Sequence, residues 1–242
     1  MKVGITGQAG FIGSHLAKYV QGRDDAELVP FDDSFFSNEL KLREFVRCCD
    51  IVVHLAAASR MPSEEALYNL NVDLVQRLID AMESEKVKPL VLFSSSTHEI
   101  RDTAYGKAKL EGRRRFEQWA KRNGSSFVGF VFPNIYGPGA KVHYASFIAN
   151  FAWELMHGKK PEIHIDASME LKYVDDLCEF LGQYFSYVGI ERVVVPYDIK
   201  LKVSDVLDLF EMYKGMLYLG FEQGPIYDNN LKKLFATFIS YK

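Results

Sequence analysis

The stretch "GITGQAGFIG", residues 4–13, places Gly7, Gly10 and Gly13 in a G-x-x-G-x-x-G spacing between an apolar run and a stretch of helical period. In such a position one glycine permits a tight turn, one lets the backbone approach a pyrophosphate, and one lets helix and strand pack closely. The unpaired N–H groups at the helix start then face the phosphates. A plain strand-to-helix turn would also accommodate three glycines. Spacing and position together predict a dinucleotide site.

An acidic residue about twenty residues further on is the second feature of such sites, and Asp32, with Asp33 beside it, occupies that place. A carboxylate there binds the ribose 2′-hydroxyl of NAD and would repel the extra phosphate of NADP. Asp32 therefore favours NAD slightly, while NADP stays open because Arg43 could reach the ribose from the next helix. Either aspartate could instead cap a helix, a role for which Ser34 competes.

Outward from the glycines, short apolar runs alternate with longer stretches of helical period, which is typical of βαβ units in a parallel α/β sheet. The predicted strands of this part are "KVGIT", "ELVPF", "DIVVHLA", "PLVLFSS" and "SFVGFVF". Beyond residue 140 the alternation loosens, and "EIHI" is a candidate for a short strand. We predict a dinucleotide-binding domain over 1–135. A small substrate-binding part over 136–242 is predicted to interleave with the last strands and helices of the sheet.

The composition is that of an ordinary globular chain, with 242 residues, 48% hydrophobic and 25% charged residues, and a net charge of -3. This mild acidity predicts neither nucleic acid nor an anionic membrane as a partner. The three cysteines include no CxxC pair, so no disulfide framework and no metal site is predicted. Because no apolar run is long enough for a signal peptide or a membrane span, the cytoplasm is the expected location.

The segment "SSSTHEIRDTAYGKAKLEG", residues 94–112, follows the fourth predicted strand, where open parallel sheets bind their ligands. Tyr105 and Lys109 are four residues apart at the start of a predicted helix, so they share one face. A nearby ammonium favours the phenolate, which suits a proton donor or acceptor beside a carbonyl. A serine at the strand end could donate a hydrogen bond to the same oxygen. Taken alone, a Tyr–Lys pair is common on helices and often has no function.

Six blocks in order, "TGQAGFIG", "VVHLAA", "FSSS", "YGKAK", "PNIYGPG" and "KYVDDL", resemble the extended short-chain dehydrogenase/reductase family, whose members mostly act on nucleotide sugars. The resemblance covers about residues 1–185 and implies a doubly wound Rossmann-type sheet with NAD or NADP at the strand ends. It implies that Ser96, Tyr105 and Lys109 are catalytic. The implied cofactor contacts are Gly7, Gly10, Phe11, Ile12, Gly13, Asp32, Leu55, Ala56, Ala57, Ser94, Tyr105, Lys109 and Pro133.

Departures from the family pattern bear on the substrate side. Thr97 and His98 stand where many dehydratases of the family carry an Asp-Glu pair, which disfavours elimination chemistry, although Glu99 lies close. Val131 stands where the family usually has an arginine, so the diphosphate of the substrate needs other cations. Candidates for that role are Lys141, His143 and Lys172. The predicted substrate contacts are Ser96, Thr97, His98, Asn134 and His143.

Only nine positions separate Ser96 from Tyr105, and this short loop is similar to that of reductases of the family that act in surface polysaccharide synthesis. The resemblance therefore implies an NAD(P)-dependent reductase of a nucleotide-linked 4-keto-deoxysugar. Two alternatives stay open: a nucleotide-sugar 4-epimerase with tightly bound NAD, and a non-catalytic dinucleotide-binding sensor or scaffold. Relatives often form homodimers through the helices that carry "VDLVQRLI" and "YGKAK", so a homodimer is also expected.

Overall fold

The structure of the chain is a computed structural model that describes residues 1–221, 224 and 228–242. The helices and strands follow the predicted order along the first 132 residues, and their bounds differ from the predicted runs by a few residues. The elements are β1 (Lys2–Thr6), α1 (Phe11–Gln21), β2 (Glu27–Val29), α2 (Glu39–Arg47), β3 (Ile51–His54), α3 (Glu64–Glu85), β4 (Leu90–Ser96), α4 (Ala104–Asn123), β5 (Phe127–Phe132), β6 (Asn134–Tyr136), α5 (Phe147–Met156), β7 (Ser168–Tyr173), α6 (Val174–Gly182), β8 (Ile190–Val194), β9 (Ile199–Lys202), α7 (Val203–Tyr218) and α8 (Asn229–Ile239).

Two compact units make up the chain. The first comprises residues 1–132 and 178–195, and the second comprises residues 133–177 and 196–242. The chain thus leaves the first unit after Phe132 and returns to it at Cys178. The sequence placed a boundary at 135/136, three residues later than the division in the structure. The substrate-binding role of the second part stays a prediction.

A six-stranded sheet in the order β2-β1-β3-β4-β5-β8 forms the first unit, and every neighbouring pair is parallel. The predicted doubly wound α/β fold is confirmed by this sheet and its crossover helices. β3 and β5 are buried along their whole length, which explains why they read as continuous apolar runs rather than as alternating ones. The carboxyl ends of β1, β3 and β4 therefore lie side by side at one edge of the sheet.

The starts of α3 and α4 carry side-chain caps. Ser63 accepts a hydrogen bond from the Ala66 N–H at the start of α3, and Thr103 accepts one from the Gly106 N–H at the start of α4. The buried faces of α3 and α4 pack with the sheet in one core, whose largest side chain is Trp119. These caps and this core determine where the first turn of α4 begins.

The second unit contains a three-stranded sheet in the order β6-β7-β9, in which β6 and β7 are parallel and β7 and β9 antiparallel. Its core combines aliphatic and aromatic side chains, the latter including Tyr136, Phe210 and Phe238 from β6, α7 and α8. The predicted strand "EIHI" is wrong, because residues 162–165 are exposed and belong to no strand. Among the described residues, no helix has both the length and the apolar character that crossing a membrane requires.

Candidate active site

The three glycines form the turn between β1 and α1. Gly7 has a φ of +71°, a left-handed conformation that glycine adopts without strain. A Cβ on Gly13 would lie 2.1 Å from the Gly7 carbonyl oxygen, so a larger residue would force the turn open. Gly10 caps α1 without a side-chain hydrogen bond, which leaves the first helical N–H groups, those of Phe11 and Ile12, for an anion. This cradle fits the pyrophosphate of a dinucleotide, whose binding here stays a prediction.

The loop after β3 lies directly against the glycine turn. A Cβ on Gly7 would be 2.9 Å from the Ala56 backbone, so the two segments approach as closely as a glycine allows. Thr6 holds this loop, since its carbonyl oxygen accepts from the Leu55 N–H at 3.2 Å and its Oγ1 accepts from the Ala56 N–H at 3.3 Å. Ala57 follows on the exposed side. The structure thus brings the predicted contacts of β1 and β3 together.

His54 and Ser94 connect neighbouring strands beneath this edge. The His54 ring is buried, with Nδ1 2.8 Å from the Thr6 Oγ1, and burial lowers the pKa of His54 to about 3. The Ser94 hydroxyl donates to the His54 carbonyl oxygen at 3.0 Å. Both groups therefore hold β1, β3 and β4 in register. A cofactor contact through Ser94 stays a prediction.

Asp32 follows β2 and is exposed, with its carboxylate accepting from the Ser34 N–H at 2.9 Å. It therefore caps a 3₁₀ turn, which is the alternative role that the sequence left open. Hydrogen bonds from Ser34 hold the pKa of Asp32 below its usual range, so the carboxylate remains charged. Arg43, the candidate for the NADP phosphate, instead pairs with Glu85 at 2.6 Å. The preference for NAD stays a prediction that these contacts support.

Three consecutive serines end β4 and alternate in direction. Ser96, the predicted catalytic serine, caps the 3₁₀ turn Thr97–Ile100 and accepts a hydrogen bond from the His98 N–H at 3.2 Å. Accepting through the oxygen leaves the hydroxyl proton available for donation to a ligand. Ser95 faces the other way and donates to the Glu99 carboxylate at 2.5 Å. Ser96 is therefore the serine that suits a ligand contact.

Tyr105 and Lys109 lie on one face of α4, in its first two turns, as their spacing predicts. The Lys109 Nζ lies 5.7 Å from the centroid of the Tyr105 ring and donates to the Ser94 carbonyl oxygen at 2.7 Å. Lys109 is only 5% exposed, and burial lowers its pKa to about 8. A largely protonated amine is thus held beside the Tyr105 ring at neutral pH. Such a cation favours the phenolate form of a neighbouring tyrosine.

His98 contacts the same tyrosine from the turn that follows β4. Its ring meets the Tyr105 ring edge-on, with centroids 6.1 Å apart and an interplanar angle of 89°. Partial burial lowers the pKa of His98, which favours the neutral imidazole. Gly106 makes this packing possible, because a Cβ there would lie 2.2 Å from the His98 carbonyl oxygen. Thr97 is half-buried in the same turn, and the substrate contacts of Thr97 and His98 stay predictions.

The remaining predicted contacts belong to the second unit. Pro133 is buried, and Asn134 begins β6, where its Nδ2 donates to the Glu170 carbonyl oxygen at 3.4 Å. His143 is exposed and has a φ of +57°, and its N–H donates to the Asn150 side chain at 2.7 Å. The cofactor contact of Pro133 and the substrate contacts of Asn134 and His143 stay predictions.

Lys172 is not available for a substrate diphosphate in the way the sequence suggested. Its Nζ lies 2.7 Å from the Asp198 Oδ1, and both side chains are nearly buried. A buried lysine paired with a carboxylate has little charge left to attract a third group. Lys141 is exposed, with its Nζ 5.5 Å from the centroid of the Tyr144 ring. Lys141 and His143 stay as the candidates from that prediction.

Glu99 is the residue whose position the sequence analysis missed. Its carboxylate is enclosed by Ser95, Arg113 and Arg192, which removes it from the role of an elimination acid or base. One signal was available, since Gly129 interrupts the apolar run "SFVGFVF", and an isolated glycine in a strand marks a close approach. Nothing local pointed to Arg192, which lies 93 residues away from Glu99 along the chain.

Comparison with known proteins places these features in a family. The family described as "NAD dependent epimerase/dehydratase family" matches residues 3–186. A Pseudomonas aeruginosa UDP-2-acetamido-2,6-beta-L-arabino-hexul-4-ose reductase is 29% identical over 178 residues, which are 73% of this chain and 47% of that protein. The chain thus spans about half the length of this curated relative.

Solved structures show the same fold. The capsular polysaccharide assembling protein CapF of Staphylococcus aureus has a TM-score of 0.83 at 24% identity and covers 100% of this chain, which in turn covers 65% of CapF. RMD of Pseudomonas aeruginosa, solved with NADPH, has a TM-score of 0.82 at 18% identity, with 99% of this chain and 98% of RMD covered. The predicted enzyme class and the predicted cofactor class, NAD or NADP, are confirmed at the level of the family. The chain belongs to the NAD dependent epimerase/dehydratase family.

Proposed function

We propose that this protein is an NAD(P)-dependent reductase that transfers hydride to the 4-keto group of a nucleotide-linked deoxysugar. The observation that carries the proposal is the placement of Lys109, a buried amine 5.7 Å from the centroid of the Tyr105 ring, next to the strand end that bears Ser96. Burying an amine is costly, and structures keep such groups mainly where chemistry requires them. The glycine turn at the same edge of the sheet supports a dinucleotide beside them.

Tyr105, Lys109 and Ser96 each have a separate role in the proposed reduction. A bound reduced nicotinamide supplies the hydride that reaches the carbonyl carbon of the sugar. Tyr105 gives its phenolic proton to the carbonyl oxygen, and Lys109 stabilises the phenolate that remains. Ser96 donates its hydroxyl proton as a hydrogen bond to the same oxygen, which polarises the carbonyl. The product is the alcohol, with one hydride and one proton added.

Two further observations favour reduction of a 4-keto sugar. Dehydration needs an acid and a base near the sugar, whereas Glu99 is enclosed by two arginines and the preceding positions are Thr97 and His98. The curated relative from Pseudomonas aeruginosa is named as a reductase of a UDP-linked hexul-4-ose, and CapF is named for capsular polysaccharide assembly. These names support a 4-keto substrate and a place in surface polysaccharide synthesis. A cytoplasmic location and pairing of two copies through α3 and α4 belong to the same proposal.

The test is an assay of purified protein with NADH or NADPH and a panel of UDP-linked and dTDP-linked 4-keto-deoxysugars, followed by absorbance at 340 nm. We expect oxidation of the cofactor with at least one sugar, and its loss in Tyr105→Phe with cofactor binding retained. Tyr218→Phe, at a 92% exposed position, is the matched control and should behave as wild type. Unchanged turnover in Tyr105→Phe would exclude the mechanism. Tightly bound NAD and interconversion of UDP-sugar epimers without added cofactor would identify a 4-epimerase instead.

A further inference from the structure

One carboxylate in the first unit is buried among three donors from different elements. Glu99 is 5% exposed and accepts from the Ser95 hydroxyl at 2.5 Å. Arg113 of α4 donates through Nε at 3.0 Å, and Arg192 of β8 donates through Nε at 2.9 Å, with its Nη2 2.8 Å away. These bonds hold the pKa of Glu99 below its usual range despite its burial. A buried carboxylate with two guanidinium partners is costly to build and rigid once formed.

A glycine in β5 leaves the space that makes this arrangement possible. Gly129 lies in the middle of β5, where its register partners are Phe93 on β4 and Arg192 on β8. A Cβ on Gly129 would lie 2.7 Å from the Arg113 Cδ and 2.9 Å from its Cγ. The stem of Arg113 therefore crosses β5 over the one position that has no side chain. Glycine weakens a strand interior, so its presence here reflects the space that Arg113 needs.

The enclosed carboxylate sits in the turn that carries the proposed catalytic groups. Glu99 belongs to the 3₁₀ turn Thr97–Ile100, which Ser96 caps by accepting from the His98 N–H at 3.2 Å. Ser95, which donates to Glu99, is the residue next to Ser96 in β4. The other end of the turn is closed by the Arg101 N–H, which donates to the His98 carbonyl oxygen at 2.8 Å. Fixing Glu99 therefore restrains both Ser96 and His98, which precede it in the same turn.

We propose that Glu99, held by Arg113 and Arg192, is a positioning residue that sets the place of Ser96 and of the His98 ring relative to Tyr105. The effect on turnover rests on the proposed function, whereas the effect on the geometry of the turn does not. Arg192 connects the edge strand β8 to this turn, so a change at the edge of the sheet reaches the reacting groups through one ion pair. Small displacements of such groups lower rates strongly.

The test compares Arg192→Met, Arg192→Lys and Glu99→Gln with wild type. Arg192 is partly exposed, so its variants are expected to fold. We expect Arg192→Met to lower kcat by about tenfold to a hundredfold, since a displacement of about 1 Å has that effect. The dissociation constant for NADPH should stay unchanged. Arg192→Lys should recover part of the loss because it keeps a cation at Glu99. Glu117→Gln, which alters a longer and more exposed contact with Arg113, is the control and should match wild type.

A second readout needs no substrate. The pKa of His98, measured by NMR of the imidazole, should rise toward its ordinary value in Arg192→Met and Glu99→Gln as the ring leaves its half-buried contact with Tyr105. The ring contacts Tyr105, and the charge of Arg101 contributes to lowering its pKa; both residues are unchanged in these variants. A wild-type His98 pKa in both variants would overturn the proposal, as would lower stability alone with the His98 pKa and kcat unchanged. If no 4-keto sugar is reduced by the wild type, the proposed function fails, and the NMR result still decides this inference.

Discussion

Replacing Lys109 with methionine should stabilise the fold while it removes the activity. Lys109 is 5% exposed, and burial lowers its pKa from 10.5 to about 8. The folded protein therefore carries the cost of a buried ammonium at neutral pH. Methionine has a similar length and no charge, so Lys109→Met removes that cost. The same change removes the cation beside Tyr105, on which the proposed proton transfer depends.

The magnitude follows from the pKa and one hydrogen bond. A fall from 10.5 to about 8 corresponds to about 3 kcal/mol of free energy of unfolding. Lys109 also donates to the Ser94 carbonyl oxygen at 2.7 Å, and losing such a bond costs about 1 kcal/mol. Lys109→Met should thus be more stable than wild type by about 2 kcal/mol at pH 7. Above the ordinary pKa of lysine only the lost hydrogen bond remains, so the variant should become about 1 kcal/mol less stable.

The sign of the pH dependence makes the prediction specific. Between pH 8 and 10.5 the unfolded chain holds the Lys109 proton and the folded chain does not, so the Lys109 contribution to stability rises with pH. Urea unfolding of wild type and variant at several pH values from 7 to about 10.5 measures the difference directly. Lys107→Met, at an exposed position on the same helix, is the control: pairing with Asp102 raises the pKa of Lys107, so the contribution of Lys107 to stability does not rise between pH 8 and 10.5. A variant that is less stable than wild type at pH 7, or a difference independent of pH, would refute the reasoning.

Three further substitutions test the site. Gly13→Ala places a Cβ 2.1 Å from the Gly7 carbonyl oxygen, and an overpacking cost of about 1–3 kcal/mol in the turn that binds the cofactor should weaken NADH and NADPH binding in a fluorescence titration about fivefold or more. Gly106→Ala pushes a Cβ to within 2.2 Å of the His98 carbonyl oxygen, so the 340 nm assay should show lower kcat with the NADPH dissociation constant unchanged; equal loss of both would contradict this. Asp32→Asn should reduce the ratio of NADH to NADPH affinity, and an unchanged ratio would mean that Asp32 only caps its turn.

The order of strands and helices in the first 132 residues could be predicted because each element is marked by its own residues. Buried parallel strands appear in the sequence as apolar runs, and α1 begins at Phe11, directly after Gly10. The second unit was harder. β6, β7 and β9 are short, and their pairing joins segments far apart in the chain. The sheet is therefore not indicated by the hydrophobic periodicity of any single segment. The prediction of a strand at 162–165 was wrong, because an alternating pattern does not show whether a neighbouring strand is there to pair with it.

The candidate site likewise has features that the sequence predicts and features that it does not. The sequence by itself determined the glycine turn and the shared face of Tyr105 and Lys109, because both follow from spacing along a single element. Only the tertiary structure decided the burial of Lys109, the enclosure of Glu99, and the loss of Lys172 to Asp198. Each of these depends on a partner or a covering layer from a distant part of the chain. Such partners reduce the charge that a side chain can present to a ligand, and the spacing of residues along the chain does not reveal which partners are present.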